Sequence, residues 1–355
     1  MSTLKNSIRV SVLIIGVAVM LLIIRSDAQQ RRLEGAESAS SSSSVTIDNY
    51  ASVMNYNYRS LDSKIDKRTV LLKDLDFSFY DEIAIPGMPD TKEEDFLNQY
   101  IFSKVQCPQG ICFTEEFVLI TSYSSEDDCM GELMVMDQES GQYLVTLGMD
   151  ENSHLGGIAY DGTNVWVCNS YENTIERISY DFIQLMAYQN AGDVIDARDV
   201  VDTYAVGNSP SCITYYGGRL WIATHKQLMN SRMVAYHYDS AQDELVALSE
   251  YAIPSKVQGV TFDEEGGVYL SRSYGRGSSS YLTCYSSIIA LDSRLGRPKL
   301  TVELPPCSEE LDIHEDTLYV LFESAGEKYL EGTDGKGQSL SPIDKLLMIP
   351  TDELK

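Results

Sequence analysis

The stretch HLGGIAYDGTNVWVCNSY at residues 154 to 171 recurs four more times along the chain. Ile158 and Tyr160 alternate with smaller residues after Gly157, Asp161 to Asn164 carry turn residues, and Val165, Trp166 and Val167 begin a second alternating run. Such a pattern predicts a hairpin. The other copies align at Gly110 (QGICFTEEFVLITSY), Cys212 (SCITYYGGRLWIATH), Gly259 (QGVTFDEEGGVYLSRSY) and Glu310 (EELDIHEDTLYVLFES), at intervals of 47, 55, 47 and 51 residues. A second pair of alternating runs follows the hairpin in GELMVMDQESGQYLVTL (131–147), SRMVAYHYDSAQDELVALSEYAI (231–253) and SSIIALDSRLGRPKLTVEL (286–304). Four strands repeated at this period predict an all-β chain folded as a five-bladed β-propeller, with six blades as the alternative. The fifth unit is one strand short. After Leu321 it has a long polar loop and a single run at 344–350. An open sheet edge exposes unpaired backbone groups, so the run from Thr69 to Ile85 is expected to close the ring as an N-terminal strand.

Residues 1–28 place Lys5 and Arg9 before an apolar run from Val10 to Ile24, shorter than the roughly 20 residues of a bilayer span. They read as a signal peptide, or as a signal anchor if uncleaved, and imply a chain that is secreted or held on the extracellular face of a membrane. Residues 29–68 open with QQRRLEGAESASSSSS and read as a disordered Ser-rich linker. Residues 69–350 form the propeller, with a short helix expected at 90–100, and 351–355 a tail. Lys and Arg number 27 against 53 Asp and Glu, a formal charge of -26. That field repels phosphate backbones, which argues against nucleic acid and leaves membrane contact to the N-terminal segment alone. The expected partner is a small molecule or a protein, bound by a monomer.

Seven cysteines occur without a zinc-ligand spacing. Cys112, Cys168 and Cys212 fall in strands as small apolar residues. Cys107, Cys129, Cys284 and Cys307 read as loop positions, and disulfides Cys284–Cys307 and Cys107–Cys129 are expected between neighbouring segments.

The first strand of a propeller blade lies nearest the axis, so residues at its start line the channel. Aligned there are Gln109, Gly156, Ser211, Gln258 and Glu309, each one residue before the repeat's anchor, with His154 just upstream of the second. The loops after each second strand add Tyr123, Asp127, Asp128, Asn169, Tyr171, His225, Arg272, Tyr274, Arg276 and Glu323 to the same face. From these, Gln109, His154, Gln258, Arg272, Tyr274, Glu309 and Glu310 are the expected ligand-binding residues. Glu309 and Glu310 together bring two carboxylates into a confined space, where like charges raise one pKa or recruit a cation, and Glu310 and Glu323 are the candidate acid or base. Glu310→Gln is expected to impair ligand binding and to spare the fold. No cofactor is called for; a divalent cation in the channel is the alternative, with His154 and His225 as its candidate ligands. Trp166, Trp221, Tyr269 and Tyr319 share one strand position and are assigned to packing between blades.

GGIAYDGTNVWVCNS and LPPCSEELDIHEDTLYVLFESAGEKY resemble a family of secreted, uncharacterised propeller proteins of bacteria and microbial eukaryotes over residues 105–350. The fourth unit, QGVTFDEEGGVYLSRSYGRGSS, also resembles the five-bladed glutaminyl-peptide cyclotransferases of plants and bacteria, through Gln258, Gly259, Tyr269, Tyr274 and Gly275. Leu270 stands where that family carries its catalytic glutamate, and Glu323 in LFES is the acid in a comparable setting. The sequence therefore implies a propeller that binds a ligand or partner over its polar channel face without a recognisable catalytic motif. A propeller hydrolase or glutaminyl-cyclase-like enzyme using channel carboxylates is the alternative.

Overall fold

A computed structural model describes residues 69–80, 85, 106–124, 130–151, 153–189, 193–292, 296–330, 332, 334–339 and 342–355. Two short strands, β1 (Thr69–Leu71) and β2 (Ser78–Tyr80), precede five sheets. The first sheet holds β3 (Gln106–Phe113), β4 (Phe117–Ser124), β5 (Met130–Asp137) and β6 (Tyr143–Glu151). The second holds β7 (Leu155–Tyr160), β8 (Asn164–Asn169), β9 (Thr174–Ser179) and β11 (Asp202–Ala205), while the intervening β10 (Asp193–Asp196) runs back to lie parallel to β6. Sheet three is β12 (Cys212–Tyr216), β13 (Arg219–Ala223), β14 (Ser231–Asp239) and β15 (Glu244–Ile253). Sheet four is β16 (Val257–Phe262), β17 (Val268–Arg272), β18 (Ser280–Tyr285) and β19 (Leu300–Leu304), and sheet five is β20 (Ser308–His314), β21 (Thr317–Phe322) and β22 (Leu346–Pro350). The inner strands β3, β7, β12, β16 and β20 pack each against the next, and β20 returns to β3. The fold is a five-bladed β-propeller.

The segment expected to close the ring divides its work. β2 supplies the missing outer strand of the fifth blade, antiparallel to β22 through Ser78↔Met348 and Tyr80↔Leu346. β1 instead adds a fifth, parallel strand to blade four, Thr69↔Thr301 to Leu71↔Glu303. Between them Leu72 is buried in the core shared by blades four and five. The expected helix at 90–100 and the segments before residue 69 lie outside the described residues.

Five apolar clusters fill the five gaps between blades. Trp166 is buried in the gap between blades two and three against Tyr204 and Tyr238, and its indole N–H donates to Asp161 at 2.7 Å. Tyr269 takes the matching place between blades four and five, donating to Asp263 at 2.8 Å. Each aromatic body fills core while its polar edge meets the turn of its own hairpin. The longest repeat interval, between Gly157 and Cys212, is explained by an insertion: helix α1 (Tyr180–Gln189) buries Tyr180, Ile183 and Ala187 on the core of blades one and two, and β10 follows it.

Two local expectations need correction. The run IIALD is not a strand; Ile288–Asp292 is a short helix, α2, and the third strand of blade four is the preceding SYLTCY. No disulfide is formed among the described residues either. Cys107, Cys112, Cys168, Cys212, Cys284 and Cys307 are all free and buried. Cys284 sits within β18, paired with Tyr269 and Leu300 in the core of blades four and five. Cys307 lies elsewhere, packed with Cys107 and Tyr329 between blades five and one. Cys107 is itself a strand residue opposite Tyr123. Its expected partner Cys129 lies outside the described residues.

Candidate functional site at the channel mouth

The inner strands share an irregularity that sequence alignment alone does not reveal. Register against the second strand slips at Pro108/Gly110, Leu155/Ile158, Val257/Gly259 and Ser308/Leu311, the same place in four blades. A bulge places an extra residue in one strand and re-aims the side chains around it. Gln109, Gly156, Gln258 and Glu309 occupy these bulges, so the side chains of Gln109, Gln258 and Glu309 leave the regular alternation at the channel mouth. Consecutive residues Glu309 and Glu310 consequently serve different neighbours.

Glu310 is fully buried at the axis. One carboxyl oxygen accepts the Ile158 amide at 2.7 Å and the other the Ile213 amide at 3.1 Å, so a single side chain of blade five caps the inner strands of blades two and three. A Cβ added at Gly157 would sit 2.7 Å from one Glu310 oxygen, and one at Gly110 would sit 3.0 Å from the other. The glycines of the repeat make room for this side chain. Burial pushes the Glu310 carboxyl well above the glutamate range, and the Ile158 and Ile213 amides pull it back. Both oxygens being engaged by backbone, the structure gives Glu310 a structural position, contrary to the expectation that Glu310→Gln spares the fold.

Glu309 and Glu323 make up a separate pair. Gln258 donates to Glu309 at 2.8 Å, Gln109 donates to Glu323 at 2.9 Å, and the Tyr329 hydroxyl donates to the other Glu323 oxygen. The two acids are neighbours close enough for each charge to act on the other. Burial first, and then the charge of Glu323, push Glu309 well above the glutamate range. A like charge so close disfavours ionisation of Glu309. Blades one, four and five thus meet through Gln109, Gln258 and the acid pair.

Lys328 and Tyr329, which the sequence reading did not single out, complete the cluster. They lie on α3 (Glu327–Leu330), a one-turn helix in the long loop of blade five. The Lys328 ammonium donates to the Tyr123 hydroxyl and lies 4.5 Å from the Tyr123 ring centre and 4.6 Å from that of Tyr329. Burial alone would lower its pKa, yet Glu323, Cys107 and Glu309 hold it above the usual lysine value. Arg276 fastens this loop: it pairs with Asp334 at 2.5 Å, donates to the carbonyls of Lys328 and Gly337, and lies over Tyr329 at 4.3 Å. Burial pushes the neighbouring Cys107 thiol up to about 12.

His154 stacks on Tyr123 at 4.3 Å and meets Tyr171 at 5.4 Å. Its Nδ1 is buried with no hydrogen-bond partner among the described residues, and burial, with the charges of Lys328 and His225 adding to it, lowers its pKa to about 4. The His225 ring nitrogens are engaged by other groups, at 3.1 Å from the Val257 carbonyl and 3.0 Å from the Gln227 amide. Arg272 donates to the Ser255 carbonyl at 3.1 Å, and it and Lys256 lie over Tyr274 at 5.6 and 5.0 Å. Arg272 and Tyr274 therefore belong to a neighbouring cationic group. Among the described residues no three His, Cys, Asp or Glu side chains are grouped as a metal site; Asp127 and Asp128 lie outside them.

No protein-family model and no curated protein matches the chain. Similar solved structures include the glutaminyl cyclase of Myxococcus xanthus (10% identity, TM-score 0.44, 71% of this chain and 94% of that one). The nidogen/laminin complex is another (13%, 0.39, 62% and 73%). Hydrazine synthase of Kuenenia stuttgartiensis is a third (13%, 0.35, 62% and 57%).

Proposed function

We propose that this propeller binds a small ligand at the channel mouth, over Gln109, His154, Gln258, Glu309 and Glu323. The observation that carries the reading is the Glu309–Glu323 pair. Burying two acids against each other is costly unless something is gained from the site, and core packing does not ask for them. The partner is a small molecule rather than a macromolecule, because the converging groups lie inside the ring of inner strands. The reading calls for no cofactor, and it places the protein outside the cell, in keeping with the export composition of residues 1–28.

A second reading is supported by the raised Glu309 carboxyl beside Glu323. Acid–base catalysis needs one carboxyl that can give a proton and one that can take it, and Glu309 beside Glu323 has that form. In a cyclase-like reaction the pair would take a proton from an attacking amine and deliver it to leaving ammonia, forming the ring amide as the side-chain amide bond breaks.

The test is a thermal-shift screen of small polar molecules, including a peptide with N-terminal glutamine, on wild-type protein and Glu323→Gln. At least one compound is expected to stabilise the wild type and to bind Glu323→Gln tenfold or more weakly. Ligands that protect both proteins equally would place binding elsewhere. Ammonia release from the peptide, abolished in Glu323→Gln, would decide for the enzyme over the binding protein.

A further inference from the structure

At the channel mouth a side chain of the chain itself occupies a small aromatic enclosure. Lys328 extends its ammonium into a cage with the Tyr123 and Tyr329 rings as walls at 4.5 and 4.6 Å and a hydroxyl acceptor on Tyr123, and the charge of Glu323 acts on it without a direct ion pair. Aromatic rings around a buried ammonium are the arrangement by which proteins recognise alkylammonium ligands. Beside the cage the buried His154 Nδ1 has no hydrogen-bond partner among the described residues, although its ring stacks on the cage wall Tyr123. An unsatisfied buried nitrogen next to a filled cation site points to a ligand larger than the lysine tip.

We infer that this cage is a binding site for a primary alkylammonium group, with Lys328 as its tethered occupant, which a free amine displaces. The inference rests on the channel-mouth reading and gives it a ligand class. Three physical points support it. The overall charge of -26 concentrates cations at the protein surface. The anchoring of the loop does not depend on the lysine side chain: Arg276 holds Asp334 and the main-chain carbonyls of Lys328 and Gly337, and the Ser339 amide donates to the Tyr329 carbonyl at 2.7 Å. The lysine tip can therefore leave the cage by rotation about its own bonds while the loop stays in place. Finally, a tether supplies its group at an effective concentration in the millimolar range, enough to keep the cage filled and weak enough to be displaced.

The experiment is chemical complementation of Lys328→Ala in the full chain. The substitution removes three methylenes and the ammonium, which n-propylammonium replaces atom for atom. At millimolar n-propylammonium chloride the melting temperature of Lys328→Ala is expected to rise by about 3 °C or more. Propanol, of the same shape without charge, is expected to leave it unchanged, as is sodium chloride at equal ionic strength. Wild type is expected to bind the amine at least tenfold more weakly than Lys328→Ala. If Lys328→Ala does not fold alone, refolding in the amine is scored against refolding in propanol in the same way. Equal rescue by propanol would make Lys328 a space-filling side chain, and no rescue by either would make it a structural lysine; each outcome overturns the inference. A Glu323-dependent ligand that is not an amine, found alongside failed complementation, would leave the channel-mouth reading standing and remove only the ammonium assignment.

Discussion

Deletion of residues 1–89 is expected to abolish cooperative unfolding, whereas deletion of residues 1–44 leaves the melting temperature within about 2 °C of the intact chain. The longer deletion removes β2 and so strips the outer strand from blade five, leaving the β22 backbone between Leu346 and Met348 unpaired. It also removes β1 from the edge of blade four and takes the buried Leu72 and Ile85 out of two inter-blade cores. A propeller is a ring in which every blade is packed on both sides, so a defect at the seam is felt by blades four, five and one together. Thermal denaturation followed by far-ultraviolet circular dichroism separates the outcomes. Equal, sharp transitions for both deletions would show that the ring closes without the N-terminal strands.

Glu310→Ala is expected to destabilise the protein by about 4 kcal/mol, from two buried amides left without an acceptor at roughly 1–3 kcal/mol each and the cavity that the lost side chain leaves behind. Ile158 and Ile213 supply those amides, from different blades. Against a typical stability of about 5–15 kcal/mol this is a large fraction of the whole. Glutamine is expected to restore only part of it, because its amide nitrogen would face a backbone N–H where the carboxyl presents an acceptor. Equilibrium denaturation in urea reads the difference directly. A Glu310→Ala protein as stable as wild type would remove Glu310 from its axial role and return it to the candidates for chemistry.

The architecture was legible because its signals are local and repeated. Gly110, Gly157 and Gly259 sit at one register position for a steric reason, the close approach of Glu310 at the axis, and Trp166, Trp221, Tyr269 and Tyr319 share another because each fills a gap between blades. Gln109, Gln258, Glu309 and Glu323 were found through the same repetition. Lys328 and Tyr329 were not, since the loop that carries them has no counterpart in the other four units. The role of Glu310 was hidden for a different reason: its partners are backbone amides, which carry no residue signature. Cys284 was misplaced because IIALD imitates a strand and pushed the true third strand, SYLTCY, into the loop.

The acid pair also sets a direction for pH. Glu309, Glu310 and Glu132 are pushed well above the glutamate range by burial, and Asp312 is raised from 3.8 to about 7 for the same reason. Carboxyls with folded pKa values above their unfolded ones make the folded chain the better proton binder. Their contribution is fully present below the unfolded value and is lost as pH rises through the folded one, so stability is expected to fall between pH 5 and pH 8. The direct measurement is carbon NMR of the side-chain carboxyls in protein labelled at glutamate. At pH 7 the wild type is expected to show a protonated carboxyl signal that Glu309→Gln removes, and in Glu323→Gln the Glu309 carboxyl is expected to lose its proton at a lower pH. A Glu309 carboxyl that is ionised at pH 7 and titrates in the ordinary glutamate range, unaffected by Glu323→Gln, would contradict a coupled acid pair at the channel mouth.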